Sequence, residues 1–224
     1  MSAKKVYAQI QEVVDRLIQS GLSVKQFTPS FKVGLKGAVS IGDLPGGATS
    51  IALKSVDYRT IYEDLERNNF YHVKFPDGGL LIIQYQFGPN EELTKHRLGF
   101  FPPADLPTIE EAPYLYESDE LYGDILVNQI VRFPIRFDFD PANAKDVSHP
   151  RSHLTFGQFE NCRIPVSHPI LPNAFCRFVF MNFYHRSYLK NRNLLDKRTK
   201  GGRSFEFDSC ITWSEKRIPH FVVA

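Results

Sequence analysis

The densest group of chemically capable side chains lies between positions 138 and 163: Asp138, Asp140, His149, Arg151, His153, Gln158, Asn161 and Arg163. His149 and His153 flank Pro150-Arg151-Ser152. Imidazoles can exchange a proton near neutral pH, and guanidinium groups can hold the charge that builds on a phosphoryl centre. His149, His153, Arg151, Arg163 and Asp138 are therefore the candidate catalytic set, suited to a phosphate-bearing substrate. Arg132 and Arg136 add cations on the polar side of the preceding segment. A His-x-x-x-His spacing beside two aspartates could also hold a divalent metal, but without a helix beneath it the spacing guarantees no geometry. No metal ligand set and no cofactor is assigned. The plainer alternative is structural: the arginines pair with Asp138 and Asp140 across strands, and His153 satisfies a buried backbone group. No nucleophile elbow or phosphate loop accompanies the cluster, and Gly46-Gly47 and Gly201-Gly202 read only as turns.

A second group could meet a charged partner. Arg186, Lys190, Arg192, Lys197 and Arg198 follow one another beside Tyr184 and Tyr188. Cations neutralise phosphates and tyrosines stack on unpaired bases, so this is the candidate nucleic-acid-binding segment. Cations also suit a helix C-terminus, so a solvated surface is the competing reading. Between Asp105 and Asp124 the opposite holds: seven acidic residues and no Lys or Arg, interrupted by Pro107, Pro113 and Gly123. That stretch is expected on the surface as an extended excursion, facing protein or solvent.

The elements that must position these groups follow from periodicity. Val6, Ile10, Val13, Val14, Leu17 and Ile18 predict a helix over 4–20, stopped by Gly21. A short helix is expected over 60–68, and strands over 70–75 and 80–87 with Pro76-Asp77-Gly78-Gly79 as their turn. The segment 94–101 can pair next. From Ile130 to Phe139 apolar and polar residues alternate, which predicts a half-buried strand at the centre of the sheet. Ser152–Phe159 and Cys162–Val166 read as a hairpin reversing at Glu160-Asn161, 173–189 as a second long helix, and 205–213 and 220–223 as closing strands. The hairpin should carry Arg163 back beside His153, placing both with His149 and Arg151 in one cleft.

Composition agrees with a packed protein. Of 224 residues 42% are hydrophobic and 23% charged, and 19 are Phe. No apolar stretch approaches the ~20 residues of a membrane-spanning helix. The start of the chain leads into an amphipathic helix rather than a signal segment. Cys162, Cys176 and Cys210 are odd in number and widely spaced, which suits buried thiols in a reducing cytoplasm. The net charge of +2 decides nothing.

Several strings taken together resemble a known family. They are His96-Arg97-Leu98-Gly99-Phe100-Phe101-Pro102, Phe133-Pro134-Ile135-Arg136-Phe137-Asp138, His149-Pro150-Arg151-Ser152-His153-Leu154-Thr155-Phe156-Gly157-Gln158, Asn161-Cys162-Arg163-Ile164-Pro165-Val166 and Asn182-Phe183-Tyr184. The resemblance is to an uncharacterised bacterial family, domain of unknown function 2290, over about residues 5 to 190. It brings no established activity. It implies a setting in mobile or defence-type gene clusters, and a distant likeness of the His-Pro-x-x-His string to small toxin-like proteins adds an analogy.

The expected fold is α+β: a mainly antiparallel sheet covered by a long N-terminal helix and a long helix toward the C-terminus, as one domain over 1–224. The expected function is a binding component of a defence-type or toxin–antitoxin-type system, acting through a protein partner. The alternative is a small nuclease-like effector using the His/Arg/Asp set. Convergence of both imidazoles in an open pocket favours the enzyme; burial of either ring favours the binding component. Oligomeric state is left open.

Overall fold

In a computed structural model of the protein, the alternation read along the chain becomes one sheet, of nine strands among the described residues. The structure describes residues 2–44, 56–106, 108–111, 113–117, 133–159, 161–197, 205 and 209–223. The strands are β1 (Lys25–Gln26), β2 (Phe31–Val33), β3 (Val39–Ile41), β4 (Val73–Lys74), β5 (Leu80–Phe87), β6 (Leu93–Phe101), β7 (Ile135–Phe139), β8 (Ser152–Phe156) and β9 (Ile164–Pro165). Their order is β1-β4-β5-β6-β7-β8-β9, with β2 on β3 and β3 on β5, and every ladder is antiparallel. β7 is interior, between β6 and β8. The α+β expectation holds.

One face of the sheet carries most of the core. Leu81, Ile83, Tyr85 and Phe87 on β5 join Leu98, Phe100, Ile135, Phe137, Phe139 and Leu154. Helix α1 (Ala3–Gln19) lays Val6, Ile10, Val13 and Leu17 against this cluster. Its start is capped by the Ser2 hydroxyl, which accepts from the Lys5 amide. Beyond the short helix α3 (Pro113–Glu117), helix α4 (Pro172–Phe183) adds Phe175, Val179 and Phe180. Each such side chain, fully buried, contributes about 1.5–3 kcal/mol.

The opposite face is divided. At one end Leu80, Ile82 and Phe101 pack under Ile61, Tyr62 and Leu65 of helix α2 (Tyr58–Arg67). Toward β7 and β8 the same face turns polar, and this change of character positions the site.

β3 and β4 share one edge of β5. β4 pairs with Leu80 and Leu81, and β3 with Tyr85 to Phe87. The Ile83 amide between them is met by His72, whose Nδ1 accepts from it at 3.0 Å. Burial pushes the His72 imidazole down to about 4, so it remains neutral. Gly42 beside it has φ 74, and a Cβ there would stand 2.1 Å from the Ile83 carbonyl oxygen.

Four expectations need correction. The strand expected over 70–75 is only Val73–Lys74. The long helix expected over 173–189 ends at Phe183, because Tyr184 leaves helical geometry at φ −133, ψ 51; α5 (His185–Lys190) and α6 (Arg192–Leu195) follow as separate pieces. Among the described residues, 205–213 and 220–223 form no strand. Pro165 in β9 has no amide hydrogen to extend a ladder, so Phe221 makes only an isolated bridge to Val166.

Candidate functional site

The polar face is assembled by register. Gln84 on β5 stands opposite Arg97 on β6, Arg97 opposite Asp138 on β7, and Asp138 opposite His153 on β8. The neighbouring row runs Ile82, Gly99, Arg136, Thr155. Side chains two apart in a strand share a face, so Arg136 and Asp138 project to the same side. Cross-strand pairing brings Arg97, Asp138 and His153 together, and His149 joins them through its nearness to His153 in the chain.

Asp138 is held from the neighbouring strand β6. Its Oδ1 accepts from Arg97 Nε at 3.3 Å. Burial alone would raise its carboxyl, but the guanidinium charges of Arg136 and Arg97 outweigh burial and bring it below the usual carboxylate range. Oδ2 accepts no hydrogen bond among the described residues and faces His153 Nε2 at 4.0 Å.

His153 is 4% exposed. Its Nδ1 lies 2.9 Å from the Pro150 carbonyl oxygen, which can only accept, so Nδ1 carries the hydrogen. Burial depresses the imidazole below its ordinary value despite the attraction of Asp138. The neutral ring therefore turns a bare lone pair on Nε2 toward Asp138. The His149 ring sits 4.8 Å away, centroid to centroid, and its Nδ1 is buried without a partner.

Arg136 is the unusual member. It is 6% exposed. Its Nε and Nη1 are buried with no hydrogen-bond partner, and it forms no ion pair among the described residues. Burial lowers its affinity for a proton; Asp138 opposes this, and the charges of Arg97 and Arg163 act in the same direction as burial. A buried guanidinium without an acceptor is costly, by about 1–3 kcal/mol for each unsatisfied group and more where charge is involved.

The His149 loop is fastened from the C-terminal side. Glu215 is buried, and its carboxylate accepts from the amides of Val147 at 3.2 Å and Thr212 at 3.0 Å. The Thr212 hydroxyl also donates to Asp146. Glu215 was not among the sequence candidates, and only the Thr-x-x-Glu spacing 212–215 hinted at it.

The family model described as Uncharacterized conserved protein (DUF2290) matches residues 22–223. The chain belongs to this family. The DUF2290 match runs through the C-terminal segment that carries Glu215 and omits all of α1, whereas the resemblance of the sequence strings spans about 5–190. No curated protein and no solved structure matches the chain.

Of the sequence candidates, this DUF2290 member brings His149, His153 and Asp138 together. Arg163 is half-buried and its charge acts on both His153 and Arg136. Arg151 does not join them: it is exposed, and its charge falls on the Cys210 thiol. Arg136, which the sequence offers only as an added cation on the polar side or as a cross-strand partner of the aspartates, is the buried centre of the group. Asp140 belongs to a separate pair with Lys95 at 2.7 Å. Arg132 and Glu160 lie outside the described residues. No three His, Cys, Asp or Glu side chains converge as a metal site among the described residues.

The candidate nucleic-acid segment is corrected in part. Tyr184 and Tyr188 are 2% and 3% exposed, so neither ring is open to a base. Their hydroxyls donate inward, Tyr184 to Asp77 Oδ2 at 2.8 Å and Tyr188 to both oxygens of Asp196. Arg192 pairs with Asp196 at 3.2 Å. Arg186, Lys190 and Lys197 are exposed, while Arg198 lies outside the described residues. In the acidic stretch, Asp105, Glu110, Glu111 and Glu117 are exposed, as expected, and Asp105 pairs with Arg59. Asp119, Glu120 and Asp124 lie outside the described residues.

Proposed function

We propose that this protein is a binding component that holds a phosphate-bearing ligand on the polar face of β6, β7 and β8, with Arg136 as its central contact. One observation carries the reading: a guanidinium only 6% exposed, with two buried N–H-bearing nitrogens that lack an acceptor among the described residues. An oxyanion supplies acceptors and opposite charge together, and arginine suits phosphate geometry. The buried, neutral His153, its Nδ1 committed to Pro150, argues for binding over proton shuttling.

The setting belongs to the same proposal: a defence-type or toxin–antitoxin-type system, reached through a protein partner. Its support is the family resemblance together with the exposed carboxylates Glu110, Glu111 and Glu117, a surface suited to a basic protein partner.

The test is calorimetric titration of inorganic phosphate into the wild-type protein and Arg136→Met. Phosphate binds the wild type, and the variant, still folded, loses at least about tenfold in affinity, the worth of one charge-assisted hydrogen bond. Equal binding by both, or no binding by the wild type, overturns the reading. The second reading, a nuclease-like effector, draws on the 4.8 Å approach of the two imidazoles. Cleavage of single-stranded RNA or DNA, lost in His149→Ala and His153→Ala with unchanged melting temperature, would establish it instead.

A further inference from the structure

An oxyanion site built only from donors takes any oxyanion. This one also contains acceptors. Asp138 Oδ2 has no hydrogen bond among the described residues, and His153 Nε2 faces it at 4.0 Å. Arg97 fixes the carboxylate through Oδ1, which leaves Oδ2 presented to the site. The Pro150 carbonyl fixes the imidazole hydrogen on Nδ1, which leaves Nε2 a lone pair. Two acceptors thus confront each other with no hydrogen between them, beside a guanidinium whose Nε and Nη1 lack acceptors among the described residues.

We infer that the ligand is an oxyanion carrying its own O–H, a protonated phosphate or phosphomonoester, whose O–H donates to Asp138 while its other oxygens accept from Arg136. This rests on the phosphate reading above and narrows it. The spacing agrees. Residues two apart in a strand stand roughly 6.6 Å apart, and a tetrahedral anion bonded at both ends bridges a gap of that order. An acceptor-only carboxylate repels an anion without a proton. Sulfate and phosphodiesters have none near neutral pH. Inorganic phosphate always retains one there, and a phosphomonoester gains one as pH falls through about 6. The phosphate-ester backbone of a nucleic acid is therefore a poor ligand, and a terminal phosphate a good one.

The experiment titrates sodium phosphate and sodium sulfate, at matched ionic strength, into the wild-type protein and Asp138→Asn. Wild type prefers phosphate by at least about tenfold, one hydrogen bond's worth of discrimination. Asp138→Asn brings the two anions within about threefold, because an amide can donate to a bare oxygen. Methyl phosphate and dimethyl phosphate, titrated into wild type from pH ~7.5 to ~5.5 around the monoester's second ionisation, provide an arm that does not depend on the variant folding. Methyl phosphate tightens on acidification and dimethyl phosphate stays silent. The groups facing Oδ2 during that series are Arg97 from β6, Arg136 from β7 and His153 from β8, with His149 and Arg163 adjoining. Protonation of His153 would compete for Oδ2, so tightening that reverses at the acid end is expected as well. Equal affinity for phosphate and sulfate, or for the two methyl esters, overturns the inference and leaves anion binding standing. Binding of no anion removes the phosphate reading and this inference with it.

Discussion

At the scale of single residues, the protein places a charge where stability alone would not. Replacing a buried, unpaired arginine by an apolar residue of similar length removes a desolvation penalty, so Arg136→Met should stabilise the unliganded protein by about 1–3 kcal/mol. Urea denaturation measures this, and a variant less stable than wild type would make Arg136 a structural residue. Tyr184 behaves oppositely. Its hydroxyl donates to the buried Asp77, whose carboxyl burial raises. Tyr184→Phe leaves that oxygen short of a donor and should cost about 1–3 kcal/mol by the same measurement. Both roles were hard to see in the sequence. The Ile130–Phe139 alternation assigned Arg136 and Asp138 to one polar face correctly, but the sequence held nothing to say that no acceptor would reach Arg136. Tyr184 and Tyr188 look like platforms for bases in the sequence because they stand beside Arg186, Lys190 and Arg192; in the structure the helix ends at Phe183 and both rings are buried.

At the scale of elements, local signals were legible and distant pairings were not. The hairpin of β4 and β5, the full span of β5 and the reversal between β8 and β9 followed from turn residues and alternation. The contact of Arg97 with Asp138 needs β6 beside β7, strands separated by the acidic stretch, and no spacing rule supplies that register. The C-terminal segment was read as strand because 205–213 contains apolar and aromatic residues. In its described part the Thr212 amide instead donates to Glu215, which is 1% exposed. Glu215→Ala should free the Val147 amide and speed its hydrogen exchange, while amides in β5 and β6 keep their protection. Unchanged exchange at Val147 would remove Glu215 as the fastener of the His149 loop.

At the scale of the whole molecule, three histidines are buried: His72, His96 and His153. Burial lowers all three, His72 to about 4 and His96 to about 3. Unfolding restores the ordinary value near 6.5, so in the window below about 6.5 the unfolded chain binds more protons. Stability from the neutral rings is complete above that value and is lost as pH falls toward the folded values. Asp138, held low in the fold, adds a loss of the same sign as pH falls below the ordinary carboxylate value. Asp77, raised by burial, opposes it, since its share is present at low pH and fades as pH rises. The net expectation is a melting temperature that falls steadily between about pH 6.5 and 4. Differential scanning calorimetry across that range tests it, and a flat profile would contradict the burial of these rings.

The fastening of the His149 loop by Glu215 also sets an order of events during synthesis. A ribosome releases Arg97, Arg136, Asp138 and His153 well before residue 215, at roughly 5–20 residues per second. The strands that bear these groups can pair as soon as they emerge. The loop bearing His149 has no carboxylate to hold the Val147 amide until Glu215 follows. A nascent chain should therefore own a formed sheet and an unfinished ligand site, and gain the site only when its last fastener arrives.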